Sequence, residues 1–129
     1  MRAPSHWLRS MSAGAVGLLA VLALASCSAA QPTAPVATST VDLPPSYKFV
    51  PADITVPAGT EVTWTNHDNF THSVRLVDDG GDVLVMKPGE SVSFTFTTPG
   101  LRHYDCSFHS QNMKGTVLVT EAGSSGASS

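Results

Sequence analysis

Cys106, His109 and Met113 fall within one short stretch, Cys106-Ser107-Phe108-His109-Ser110-Gln111-Asn112-Met113, while His72 stands far upstream beside Ser73. A thiolate, two imidazoles and a thioether are the donor set of a blue-copper centre. Soft sulfur stabilises Cu(I), imidazole accepts both oxidation states, and a weak axial thioether leaves a near-trigonal ion that changes little when an electron arrives or leaves. Zinc takes tetrahedral Cys and His without a thioether, so Met113 argues for one copper ion. The plainer alternative is a metal-free core in which Cys106 is a small buried hydrophobe. Gln111 competes with Met113 for the axial place, since a Gln oxygen can occupy it.

The other polar candidates are weaker. His67 sits in the Asn66–Phe70 turn and reads as an exposed loop histidine. Strand alternation points His103 and Asp105 away from Cys106, Asp105 toward solvent. Met86 reads as strand core. Asp78, Asp79 and Asp82 lack calcium-loop spacing, and Asp78-Asp79-Gly80-Gly81 is a turn sequence. Ser73 is placed to hydrogen-bond the Cys106 sulfur from outside the ligand set. Phe70 and Phe108 are candidates for an apolar rim around His109, or for core. A thiol-nucleophile reading of Cys-x-x-His has no acyl-transfer signature around it, and four protein ligands leave no open position for metal catalysis. An enzyme is therefore not expected.

Positioning these residues requires strands. Period-2 or β-branched runs occur at Tyr47–Val50, Ile54–Val56, Glu61–Asn66, His72–Val77, Val83–Met86, Ser91–Thr97, Leu101–Cys106 and Gly115–Thr120. Pro51, Pro57-Ala58-Gly59, Lys87-Pro88-Gly89 and Pro99-Gly100 punctuate them. Val62 and Trp64 share one face of their run; Val92, Phe94 and Phe96 share one face of theirs. No helical period follows Cys27. Seven to eight short antiparallel strands imply an all-β, Greek-key β-sandwich. In this scheme Cys106 ends one strand and Gly115 opens the next, so the intervening loop carries His109 and Met113 round one ion.

The chain has 129 residues, net charge −3 and seven Lys and Arg scattered without a basic run, which leaves room for one domain and no expectation of nucleic-acid binding. Residues 1–26 combine a basic start (Arg2, Arg9) with an apolar stretch from Ala13 to Ala25, too short and Gly-interrupted for a membrane span. They read as an export signal, and Leu24-Ala25-Ser26-Cys27 resembles the bacterial lipobox. That resemblance implies cleavage before Cys27, lipidation of its thiol, and an extracytoplasmic protein anchored to the outer face of the cell membrane. Residues 27–40 then form a flexible Ala/Pro/Ser/Thr linker, 41–120 the folded domain and 121–129 a disordered tail. With Cys27 acylated, Cys106 is the only remaining thiol in an oxidising compartment, and an unpaired thiol there needs a reason.

From about Phe49 to Val119 the chain resembles the plastocyanin/pseudoazurin/amicyanin branch of the cupredoxins. The resemblance rests on Pro57-Ala58-Gly59-Thr60, Val62-Thr63-Trp64-Thr65-Asn66 and Thr71-His72-Ser73-Val74 in one half. In the other half it rests on Pro99-Gly100, Tyr104-Asp105-Cys106-Ser107-Phe108-His109 and Met113-Lys114-Gly115-Thr116-Val117. It implies that His72, Cys106, His109 and Met113 bind one copper ion. It also implies that the protein, a monomer, shuttles single electrons between larger redox partners docking near His109. The rival expectation is a copper carrier or chaperone delivering the ion to an extracytoplasmic oxidase. One departure stands out: three residues separate His109 from Met113, where plastocyanins usually have four and amicyanins two.

Overall fold

The computed structural model describes residues 32–123, through which nine strands run in two sheets. The expected export signal, Cys27, the first residues of the expected linker and the end of the expected tail lie outside the described residues. The strands are β1 (Val36–Ala37), β2 (Thr40–Leu43), β3 (Asp53–Pro57), β4 (Thr60–Asn66), β5 (His72–Leu76), β6 (Val83–Met86), β7 (Ser91–Phe96), β8 (Gly100–Asp105) and β9 (Lys114–Thr120). One sheet has the order β1-β3-β9-β8-β5-β6 and the other β2-β4-β7. The chain changes sheets repeatedly, as a β-sandwich requires.

Alternation sets which residues meet between the sheets. On β4, Val62, Trp64 and Asn66 are fully buried, while Thr63 and Thr65 face outward and share hydroxyl hydrogen bonds with Ser93 (2.8 Å) and Ser91 (2.9 Å) of β7. Such cross-strand pairs fix the register that keeps Trp64 inside. Trp64 packs edge-on to Tyr104 and Phe96, and Tyr104 edge-on to Phe49, with centroids 4.9–6.3 Å apart. Phe96 is buried, whereas Val92 and Phe94 of the same face are only partly covered.

Seven of the eight expected runs are strands. The exception is Tyr47–Val50, which holds a turn and a single bridge, Asp42 to Val50. Ser46 and Tyr47 take φ of 115° and 54°, outside the range of extended chain, so the run cannot continue as a strand. The linker also ends earlier than expected. Val36–Ala37 pairs in parallel with β3, and Thr40 opens β2, parallel to β4. With the parallel pair β3–β9, three of the pairings are parallel rather than all antiparallel.

Two registers bring the site together. Antiparallel pairing of Arg75 with Asp105 and Leu76 with Tyr104 sets the end of β5 against the end of β8, so the start of β5 runs on beside the loop that follows β8. Pairing of Asp105 with Lys114 closes the β8–β9 hairpin at that same end. His72, at the first position of β5, therefore meets the loop running from Cys106 to Met113.

Candidate metal centre

Cys106 is fully buried and unpaired. Its Sγ lies 3.9 Å from His72 Nδ1 and 3.7 Å from His109 Nδ1. The three ligand atoms all fall within 4.8 Å of one another. For metal–sulfur and metal–nitrogen bonds of about 2.3 and 2.0 Å, such separations open an S–metal–N angle of roughly 120°. Two such angles at a metal sharing the one sulfur suit a trigonal centre, and the donor types suit copper.

The loop that carries His109 is closed by its own backbone. Cys106 N–H donates to Met113 O at 3.0 Å, His109 N–H to Cys106 O at 3.0 Å, and Met113 N–H to His109 O at 2.9 Å. Met113 is 1% exposed and Gln111 is exposed, so of the two axial candidates it is Met113 that is turned inward. At the root of the hairpin, Gly115 lies so close to Ala52 O and the Tyr104 ring that a Cβ there would overlap both. That approach lets the buried Tyr104 hydroxyl donate to Ala52 O at 2.7 Å, and burial pushes the phenol's pKa up.

Ser73 supports the sulfur. Its backbone N–H donates to Cys106 Sγ at 3.4 Å and its hydroxyl lies 3.8 Å from the same atom. The Ser73 hydroxyl also accepts the Ser107 N–H at 2.9 Å, tying β5 to the ligand loop. Beside it, Arg75 grips Asp105 through two hydrogen bonds, at 2.8 and 2.6 Å. Asp105 is therefore largely buried and ion-paired, not directed to solvent as expected; the partner that draws it inward lies 30 residues away in sequence.

His72 is fully buried, and its Nε2 lies 2.9 Å from Asp68 Oδ2. An ionised carboxylate can only accept, so Nε2 carries the ring proton and Nδ1 keeps its lone pair for a metal. The same hydrogen bond holds the Asp68 carboxyl below the usual carboxylate range, against the opposing effect of burial. Sequence reasoning missed Asp68. The available signal was a carboxylate four residues before a candidate ligand, but its direction depends on how the loop turns back.

His109 is half-buried in an aromatic setting. Tyr47 meets it edge-on at 4.7 Å, stacks on Phe70 at 5.6 Å and approaches His72 at 5.8 Å. Phe70 and Phe108 are each 56% exposed, so neither ring is core. Tyr47 was not singled out by sequence, because its left-handed backbone is what turns the ring toward the site. The remaining candidates stay apart. His67 is exposed and bonds Asp42 at 3.1 Å, His103 is exposed and bonds Asp78 at 2.7 Å, and Met86 is core.

Known proteins resemble this chain in sequence and fold. Residues 38–120 match the family model for copper binding proteins, plastocyanin/azurin family. Plastocyanin from Scenedesmus fuscus is 35% identical over an alignment 83 residues long that covers 55% of this chain and 85% of the plastocyanin. A reduced amicyanin mutant superposes with a TM-score of 0.57 at 31% identity, across 67% of this chain and 92% of the amicyanin. A copper-containing nitrite reductase from Thermus scotoductus superposes with a TM-score of 0.55 at 31% identity, across 69% of this chain but only 23% of the reductase. With the matched segment spanning every strand from β2 to β9, and a His–Cys–His donor group at one end of them, the chain belongs to the plastocyanin/azurin family of copper-binding proteins, and its metal is a copper ion.

Proposed function

We propose that the protein is a mononuclear type 1 copper protein that carries single electrons outside the plasma membrane, anchored there by a lipid on Cys27. In this reading His72, Cys106 and His109 supply the strong ligands and Met113 the weak axial one. The observation that carries it is the pair of Nδ1 atoms at 3.7 and 3.9 Å from one buried, unpaired sulfur. Bound copper supplies a one-electron couple. The protein's part is to hold the donors in one arrangement for both oxidation states: His72 through Asp68, Cys106 through Ser73, and His109 and Met113 through the closed loop.

Four protein donors leave no coordination position for substrate, which favours a carrier over an enzyme. The buried His72 and Cys106 favour retention of the ion over ready transfer to an acceptor, and so favour electron transfer over copper delivery. Redox partners dock where His109 approaches the surface, on a rim of Tyr47, Phe70 and Phe108. The protein acts there as a monomer.

The test is the visible and EPR spectrum of the purified protein with one equivalent of Cu(II). An intense thiolate-to-copper band with a narrow copper hyperfine splitting is expected. A pale, ordinary Cu(II) spectrum overturns the type 1 assignment.

A further inference from the structure

Asp68 is a 4%-exposed carboxylate whose Oδ2 lies against the buried edge of His72, with no Lys or Arg among the described residues in ion-pair contact with it. Its loop leaves it little freedom. Asn66 Oδ1 accepts the Asp68 N–H at 2.9 Å, and Asp68 Oδ1 accepts the Asn69 N–H at 2.7 Å. The Asn66 amide in turn donates to Phe70 O at 2.8 Å and Met86 O at 3.2 Å, which joins the loop to β6. A fully buried Asn thus spends its donors and its acceptor on shaping the loop that presents Asp68.

We propose that Asp68 is the positioning residue of the centre: it fixes the proton of His72 on Nε2, and its buried negative charge lowers the reduction potential by favouring the more highly charged ion. A carboxylate behind a metal-bound imidazole orients the ring and raises its basicity. A nearby negative charge in a poorly solvated place stabilises a divalent ion more than a monovalent one. The molecule contains its own control in Asp42, which bonds His67 at 3.1 Å with both side chains exposed to water. The same chemical pair on the surface is screened by water, and its histidine is not one of the three donors. The effect on potential rests on the copper reading above; the effect on His72 does not.

The experiment therefore has two parts. In the metal-free protein, nitrogen-15 NMR of the imidazoles is expected to show His72 as a single Nε2–H tautomer, and Asp68→Ala to release it into a mixture. In the copper-loaded protein, Asp68→Asn is expected to raise the reduction potential and weaken Cu(II) binding by about 10–100-fold, while Asp42→Asn leaves both unchanged. An Nδ1–H tautomer in the unaltered protein overturns the proposal without any variant needing to fold. So does a potential that Asp68→Asn leaves in place, or one that Asp42→Asn moves equally. Failure of the unaltered protein to form a type 1 centre would count against the copper reading, and the tautomer measurement would still decide the role of Asp68.

Discussion

The two imidazoles beside Cys106 lie at similar distances from its sulfur but are held by different means. His72 opens a strand, is sealed from water and has its far nitrogen bonded to a carboxylate. His109 sits in a hairpin loop, is half-buried and meets aromatic rings. The first arrangement fixes a ligand; the second brings a ligand to where another protein can approach it. A carrier needs both, because an ion held entirely inside exchanges electrons slowly and one held entirely at the surface is easily lost. Phe70 and Phe108 remain exposed on the His109 side, where burying large apolar side chains against a partner contributes favourably to docking.

Replacing each histidine by glycine tests the contrast most severely. His72→Gly and His109→Gly are both expected to lose most of the blue absorption. Imidazole added from solution should restore the band in His109→Gly, whose gap opens toward solvent, and fail to do so in His72→Gly. Equal rescue of the two would erase the distinction. A smaller effect concerns the base of the hairpin. Gly115→Ala forces a methyl group against Ala52 O and Tyr104, and is expected to destabilise the metal-free protein by about 1–3 kcal/mol in urea denaturation. Met113→Leu exchanges one buried apolar side chain for another of similar volume, so the fold and the colour should survive. On the reading that Met113 is the weak axial donor, loss of its thioether should raise the potential measured by spectroelectrochemistry. The smallest effect on the protein itself is expected from Phe108→Ala: stability within about 0.5 kcal/mol of the parent, with slower electron exchange to a partner measured by stopped flow.

What the sequence made legible was mostly local. Cys106, His109 and Met113 share one loop, and His72 begins one of the expected strand runs. The strand pattern of β3 through β9 is visible because most of these strands bury one face, although β5 and the end of β8 bury both. The elements that escaped are those decided at long range. Two residues of β1 carry no period and exist because Ile54 and Thr55 are there to pair with them. β2 has a usable signal, Thr40-Val41-Asp42-Leu43 with Val41 and Leu43 buried, but it follows a Pro- and Ser-rich segment that reads as linker. Tyr47 required knowledge of a left-handed turn, and Asp105 required knowledge of Arg75 on another strand. Asp68 lies near its partner in sequence, yet a four-residue spacing in a loop says nothing of direction until Asn66 has shaped it.

The closed backbone of the Cys106–Met113 hairpin has an evolutionary consequence. Its hydrogen bonds begin at Cys106 and return to Met113, and strand register resumes at once with Asp105 opposite Lys114. A change of length at residues 110–112 would alter the bonds that Asn112 and Met113 make to His109 O, yet leave the strand register outside the loop in place, since lengthening a loop by one residue costs little in chain entropy. The three-residue interval between His109 and Met113 then becomes a heritable length setting on a replaceable cassette, through which descent can retune the metal while the scaffold stays the same.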